Sequence, residues 1–60
     1  MRANAFTFEM ACHAIWAVEV MGWSQTRAAV VLKCNVGTIC HVCHRRRHAG
    51  AYPVPILGYE

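Results

Sequence analysis

Gln25 to His48, QTRAAVVLKCNVGTICHVCHRRRH, is the stretch on which the reading of the fold turns. Ala28, Ala29 and Leu32, then Ile39 and Val42, recur at helical spacing on either side of an interruption at Lys33-Cys34-Asn35. Asn35 is a favoured N-cap, because its side chain accepts a hydrogen bond from a free amide one turn in. The spacing therefore predicts two short helices, about 25–33 and 36–48, joined by a tight turn. Arg45, Arg46 and Arg47 then place three permanent positive charges at the far end of the second helix.

Upstream, Gly22-Trp23-Ser24 separates this pair from an earlier helix. Gly22 suits the residue just past a helix end, and Ser24 suits the next N-cap. The first helix is expected over about 7–21, capped by Asn4 or Thr7. Ala11, Ala14, Ile15 and Val18 give it one apolar stripe, which Phe8, Cys12, Trp16 and Val20 widen. That broad surface fits packing on the other helices or a face between two copies of the chain, and both readings stand. Downstream, Gly50 ends the third helix. Pro53 and Pro55 exclude a helix from AYPVPILGYE, since each lacks an amide donor and restricts its predecessor. Residues 50–60 are expected as an extended arm whose Tyr52, Val54, Ile56 and Leu57 need apolar cover. The fold class is all-α, one domain over 1–60, with three helices in a helix-turn-helix arrangement and a C-terminal arm.

Sixty residues bury a small core, so pairing into a homodimer or binding a metal would add stability. The carboxylates are Glu9, Glu19 and Glu60, and none lies between Lys33 and Tyr59. Positive charge is thus gathered in one half, the distribution expected of a phosphate-binding face. No uncharged run approaches the roughly 20 apolar residues of a membrane span. Glu9 interrupts any signal-peptide core near the start. A cytoplasmic chain with reduced cysteines is the expectation.

Gln25 to His44 resembles the twenty-residue helix-turn-helix of phage Cro-type and repressor-type regulators. Gln25 falls on the first position of that pattern, and Ala29 on the small residue where the two helices cross. Cys34 takes the apolar turn position, while Ile39 and Val42 take the buried positions of the recognition helix. The left-handed turn position that such proteins give to glycine is Lys33 here, at a cost of roughly 1–2 kcal/mol. The layout from Ser24 to Arg47, followed by GAYPVPIL, is also similar to plasmid repressors of the TrfB/KorA type. The resemblance implies a transcriptional regulator, repressor-like, that reads bases from Asn35, Val36, Gly37, Cys40, His41 and His44.

The residues themselves divide the labour accordingly. Gln25, Arg27, Thr38, Arg46 and Arg47 are candidates for phosphate contacts, with the helix dipole assisting at Gln25 and Arg27. Asn35, His41 and His44 are candidates for base edges, although a capping Asn35 is less free to read one. Arg45 can instead reach a guanine. Because histidines titrate near neutrality, mildly pH-dependent binding to double-stranded DNA is expected.

Cys40-His41-Val42-Cys43-His44 is also a literal C-x-x-C-H, the attachment pattern of c-type haem. Attachment would require export, which nothing in the sequence supports, so no cofactor is expected. Zinc on Cys40, Cys43, His44 and His48 is the stronger rival, yet four ligands abutting on one helix cannot easily surround a tetrahedral ion. Otherwise Cys34 and Cys43 act as small buried hydrophobes. A Cys–His nucleophile needs a base, an oxyanion site and a pocket, and sixty residues suggest none, so an enzyme is not expected. Two other classes remain: a protein-interaction module using helix one, and a zinc-stabilised small domain.

Overall fold

A computed structural model describes residues 6–59, and three helices account for its regular structure. Helix α1 spans Phe8–Ile15 and runs on without a break into a π-helical segment, Trp16–Val20. Helix α2 spans Gln25–Leu32 and helix α3 Val36–Cys43. Among the described residues there is no β-strand. No helix among them is long and apolar enough to cross a membrane.

Each helix starts where local chemistry says it should. Thr7 Oγ1 accepts from the Met10 amide at 3.2 Å, and Ser24 Oγ accepts from the Arg27 amide at 3.1 Å. Asn35 Oδ1 accepts from the Gly37 amide at 2.7 Å. Each bond satisfies an amide that has no partner within its helix, worth about 1 kcal/mol. Of the two caps expected for α1, Thr7 performs the task; Asn4 lies outside the described residues. Glu9 in the first turn of α1 adds a favourable charge beside the helix dipole.

The core is built from small residues, which lets short helices approach closely. Ala11, Cys12, Ala14, Ile15, Trp16 and Ala17 meet Ala28 and Ala29 of α2 and Ile39 and Val42 of α3. Helix α1 packs on both of the others, and α2 packs on α3. Three members of the expected α1 surface deviate, and Trp16 does not. Val18 is only half-buried, Phe8 and Val20 are exposed, and Trp16 is buried deeply. The π-helical segment explains part of this: the extra residue per turn rotates Val18 to Val20 away from the stripe that a regular helix would keep. The segment ends at Gly22, whose φ of 77° is left-handed, with the Trp23 amide bonded to Ala17 O at 3.0 Å. Glycine is suited to that backbone because it has no Cβ to clash.

Helix α3 ends at Cys43, not near His48 as the sequence predicts. Arg45 adopts φ 61° and stops it. The Arg45 amide bonds to Val42 O at 3.0 Å and the Arg46 amide to His41 O at 2.8 Å, the paired bonds of a Schellman closure. Arg45, Arg46 and Arg47 therefore stand in a loop beyond the helix rather than on its last turn. The loop turns again at His48, φ 51°. Residues 51–56 have no regular structure and lie along α1. The Val54 amide bonds to Cys12 O at 3.3 Å, and His13 Nδ1 donates to Val54 O at 2.9 Å. Ala51 is buried and Val54 and Ile56 are half-buried against the core, whereas Tyr52 and Leu57 stay exposed. The apolar cover that the tail needs is thus only partly supplied.

Candidate nucleic-acid interface

Helix α3 has a buried side and an open side. Ile39 and Val42 are fully buried. Val36, His41 and His44 are exposed, and Gly37 and Cys40 are half-buried. At about 100° per residue, positions 36, 37, 40, 41 and 44 sweep an arc of about 140° opposite Ile39 and Val42. Five of the six sequence-predicted reading positions beyond Asn35 therefore share one face; the sixth, Arg45, lies past the end of the helix. Thr38 sits at its margin, half-buried.

The start of that face is held by the turn from α2. Lys33 adopts φ 58° and ψ 47°, the left-handed conformation expected at that position. Its amide bonds to Val30 O at 3.2 Å, and the Cys34 amide bonds to Ala29 O at 3.0 Å. Cys34 is half-buried against the core, and burial pushes its thiol pKa up. Asn35 then caps α3 at once. A Cβ on Gly37 would lie 3.1 Å from Asn35 Oδ1, so the missing side chain at Gly37 leaves room for the cap. Asn35 Oδ1 is committed to this bond; the side-chain NH₂ remains outward for another acceptor.

His44 caps the other end of the open face. Its Nδ1 lies 2.9 Å from Cys40 O and 3.4 Å from Cys40 Sγ. A carbonyl only accepts, so Nδ1 carries the hydrogen and the neutral ring presents Nε2 outward as an acceptor.

The cations are not alike. Arg45 turns back into the domain: Nη1 donates to Ala51 O at 3.1 Å and Nη2 lies 3.9 Å from Glu19 Oε1. It fastens the loop to the tail and to the π-helical segment. The Arg46 side chain is exposed. Arg47 is exposed too, with its guanidinium 5.4 Å over the Phe6 ring. Arg27 is stacked on Trp23, 4.3 Å from the ring centroid. Trp23 is itself braced edge-on by Trp16 and Tyr59, at 6.0 and 5.5 Å. Stacking leaves the guanidinium edge free to donate while fixing its plane. Gln25 is half-buried beside it. Sequence reasoning gave neither Trp23 nor Lys33 a role at the interface, though it placed Lys33 at the left-handed turn. The Trp23–Arg27 spacing of four residues was the available signal for the first, and exposed Lys33 in the turn for the second.

The residues weighed as zinc ligands are divided. Cys40 and His44 touch, but His48 faces Phe6 and Phe8 at 5.9 Å each, with its Nε2 buried and unpartnered. No group of three or more histidines, cysteines or carboxylates converges as a metal site among the described residues. The apolar side of α1, the candidate partner surface, lies in the domain's own core.

No protein-family model matches the chain, and no curated protein or solved structure is detectably similar to it.

Proposed function

We propose that the chain is a small transcriptional regulator that binds duplex DNA, with the open face of α3 in the major groove. The observation that carries this reading is the pairing of one open face on α3 with the exposed cations Arg27, Arg46 and Arg47, while Glu19 is engaged by Arg45. The three-residue turn supports it, because it holds α3 in a fixed relation to α2. A helix followed at once by a capped second helix is the docking geometry that presents an N-terminal half to base edges.

In this account Val36 and His41 meet base edges, as does His44 through Nε2. Neutral Nε2 accepts from an exocyclic amine, whereas the protonated ring donates to guanine N7 or O6. Cys40 and Gly37 form the shallow middle of the face, and the free Asn35 amide adds a donor. Arg27, Arg46 and Arg47 take phosphates, with Lys33, Gln25 and Thr38 at the edges. Arg45 positions the loop that carries Arg46 and Arg47 rather than reading guanine. Homodimerisation belongs to the same proposal. The core is small, and Val20, Met21, Val30 and Leu57 leave apolar surface in solvent.

The test is selection of bound duplexes from a randomised pool, followed by fluorescence anisotropy on the enriched site in chelator. Enrichment of one short motif, bound far more tightly than scrambled duplex, is the expected result. Folded protein that enriches nothing and binds no duplex at low salt would refute the reading.

A further inference from the structure

The thiols of the C-x-x-C-H run carry a chemistry that the proposed DNA contacts leave unused. Cys40 lies on the open face of α3 with its Sγ 3.4 Å from His44 Nδ1, which bears a hydrogen. That N–H has Cys40 O as its nearer acceptor and also faces the Cys40 sulfur. Cys43 is the last residue of α3, one turn on, and it is half-buried. Burial pushes the Cys43 thiol pKa up, and the nearby Glu19 and Cys40 add to this against an opposing Arg45. Both cysteines are half-buried, but their surroundings are unequal: Cys40 Sγ sits beside a donor, and Cys43 is favoured as the thiol. All four cysteines are free.

We propose that Cys40 and Cys43 form a dithiol site that is oxidised reversibly by low-molecular-weight disulfides, with Cys40 as the attacking sulfur. In an α-helix, Cα atoms three residues apart lie about 5 Å from each other, inside the roughly 4.4–6.8 Å span of a disulfide. Their Cβ atoms start about 5–6 Å apart and must close to about 4 Å. Closing that gap of about 1–2 Å requires local distortion of the last turn of α3. Because Cys43 is the final helical residue, only the helix end has to yield.

The chemistry runs in two exchanges. The Cys40 thiolate attacks one sulfur of the small disulfide, forming a mixed disulfide and expelling one small thiolate, which takes up the proton Cys40 lost. Cys43 then gives up its proton and attacks Cys40 Sγ. The mixed disulfide breaks, and the second small thiol leaves with that proton. The protein pair is oxidised by two electrons, and one small disulfide is reduced to two thiols. Distorting the last turn displaces His44 and the start of the Arg45 loop. This consequence, weaker DNA binding in the oxidised form, rests on the proposed function; the thiol chemistry does not.

Full-length reduced protein is treated with glutathione disulfide, and the products are read by intact mass and peptide mapping. The expected product has lost two hydrogen atoms and maps to a Cys40–Cys43 bridge. Cys43→Ser should instead retain one glutathionyl group, on Cys40. A bridge that involves Cys12 or Cys34, or glutathionylation of Cys43→Ser spread evenly over its remaining cysteines, would overturn the proposal. Anisotropy on the selected duplex should show the oxidised form binding about tenfold more weakly, restored by dithiothreitol. If the bridge forms but reduced protein binds no duplex, the DNA reading fails and the dithiol site stands. If reduced protein binds and no Cys40–Cys43 bridge forms, the reverse holds.

Discussion

The ends of α2 and α3 are closed by the same device and lead to different outcomes. Lys33 and Arg45 both take left-handed backbone, at φ 58° and 61°, and both sit in the paired amide–carbonyl bonds of a Schellman closure. Neither is glycine, so each costs roughly 1–2 kcal/mol in backbone strain. After Lys33 the chain enters a capped helix within two residues, with Cys34 of the turn packed half-buried against the core. After Arg45 it enters an irregular loop that depends on the Arg45 guanidinium gripping Ala51 O and facing Glu19. The first closure leads directly into a capped helix; the second is tied by its own side chain to distant parts of the chain. The difference suits the proposed roles, since a reading helix needs a fixed start and a phosphate-contacting loop does not.

The largest way to break both ends together is to remove what anchors α3. Ile39→Ala should cost about 2–5 kcal/mol, because its side chain is fully buried between the helices. In a domain this small that is a large share of total stability, so loss of the far-ultraviolet helical signal at room temperature is expected. A fully folded Ile39→Ala would mean that the core does not fix α3.

Glycine substitution separates the two closures. Lys33→Gly should relieve strain and stabilise by about 1 kcal/mol, raising the thermal midpoint by about 4–8 °C. Arg45→Gly relieves the same strain but deletes the bonds to Ala51 and Glu19, so its midpoint should rise less or fall. Equal gains at both positions would show that the Arg45 contacts contribute nothing to the loop. Asn35→Ala tests the rigid start of α3 and should cost about 1 kcal/mol in urea unfolding. No loss there would mean the cap is not formed in solution.

These closures also mark how far the sequence could be read. Thr7, Ser24 and Asn35 announce helix starts because capping is chemistry between neighbours, and Ile39 and Val42 announce the buried side of α3 by spacing alone. The left-handed Lys33 was legible from its place in a known pattern. The stop at Arg45 was not, because arginine is a good helix former and the contacts that hold it, to Ala51 and Glu19, lie six residues onward and on another element. The π-helical segment and the docking of Val54 on His13 were hidden for the same reason: both depend on packing between distant parts of the chain. At the candidate interface, the outer positions of α3 followed from periodicity. The stack of Arg27 on Trp23 and the inward turn of Arg45 required coordinates.

The smallest expected effect concerns pH. Cys34 and Cys43 have thiol pKa values raised above the ordinary 9.0. The fold therefore favours their protonated forms. Their contribution is fully present below the unfolded value and is lost as pH rises through the raised folded values. A modest fall in urea midpoint above about pH 9 is expected. Cys34→Ala combined with Cys43→Ala should flatten that decline; an unchanged decline would assign it to other groups.

The most direct test of the central claim is the salt dependence of duplex affinity for the wild-type protein and for the Arg46→Ala/Arg47→Ala double variant. Each phosphate contact contributes about 0.9 to the slope of log affinity against log salt. If both arginines of the tertiary loop hold phosphates while α3 reads the bases, the slope should fall by about 1.8 and the preferred site should stay the same. An unchanged slope, or a changed site preference with the slope intact, would contradict that division of labour between the loop and the helix.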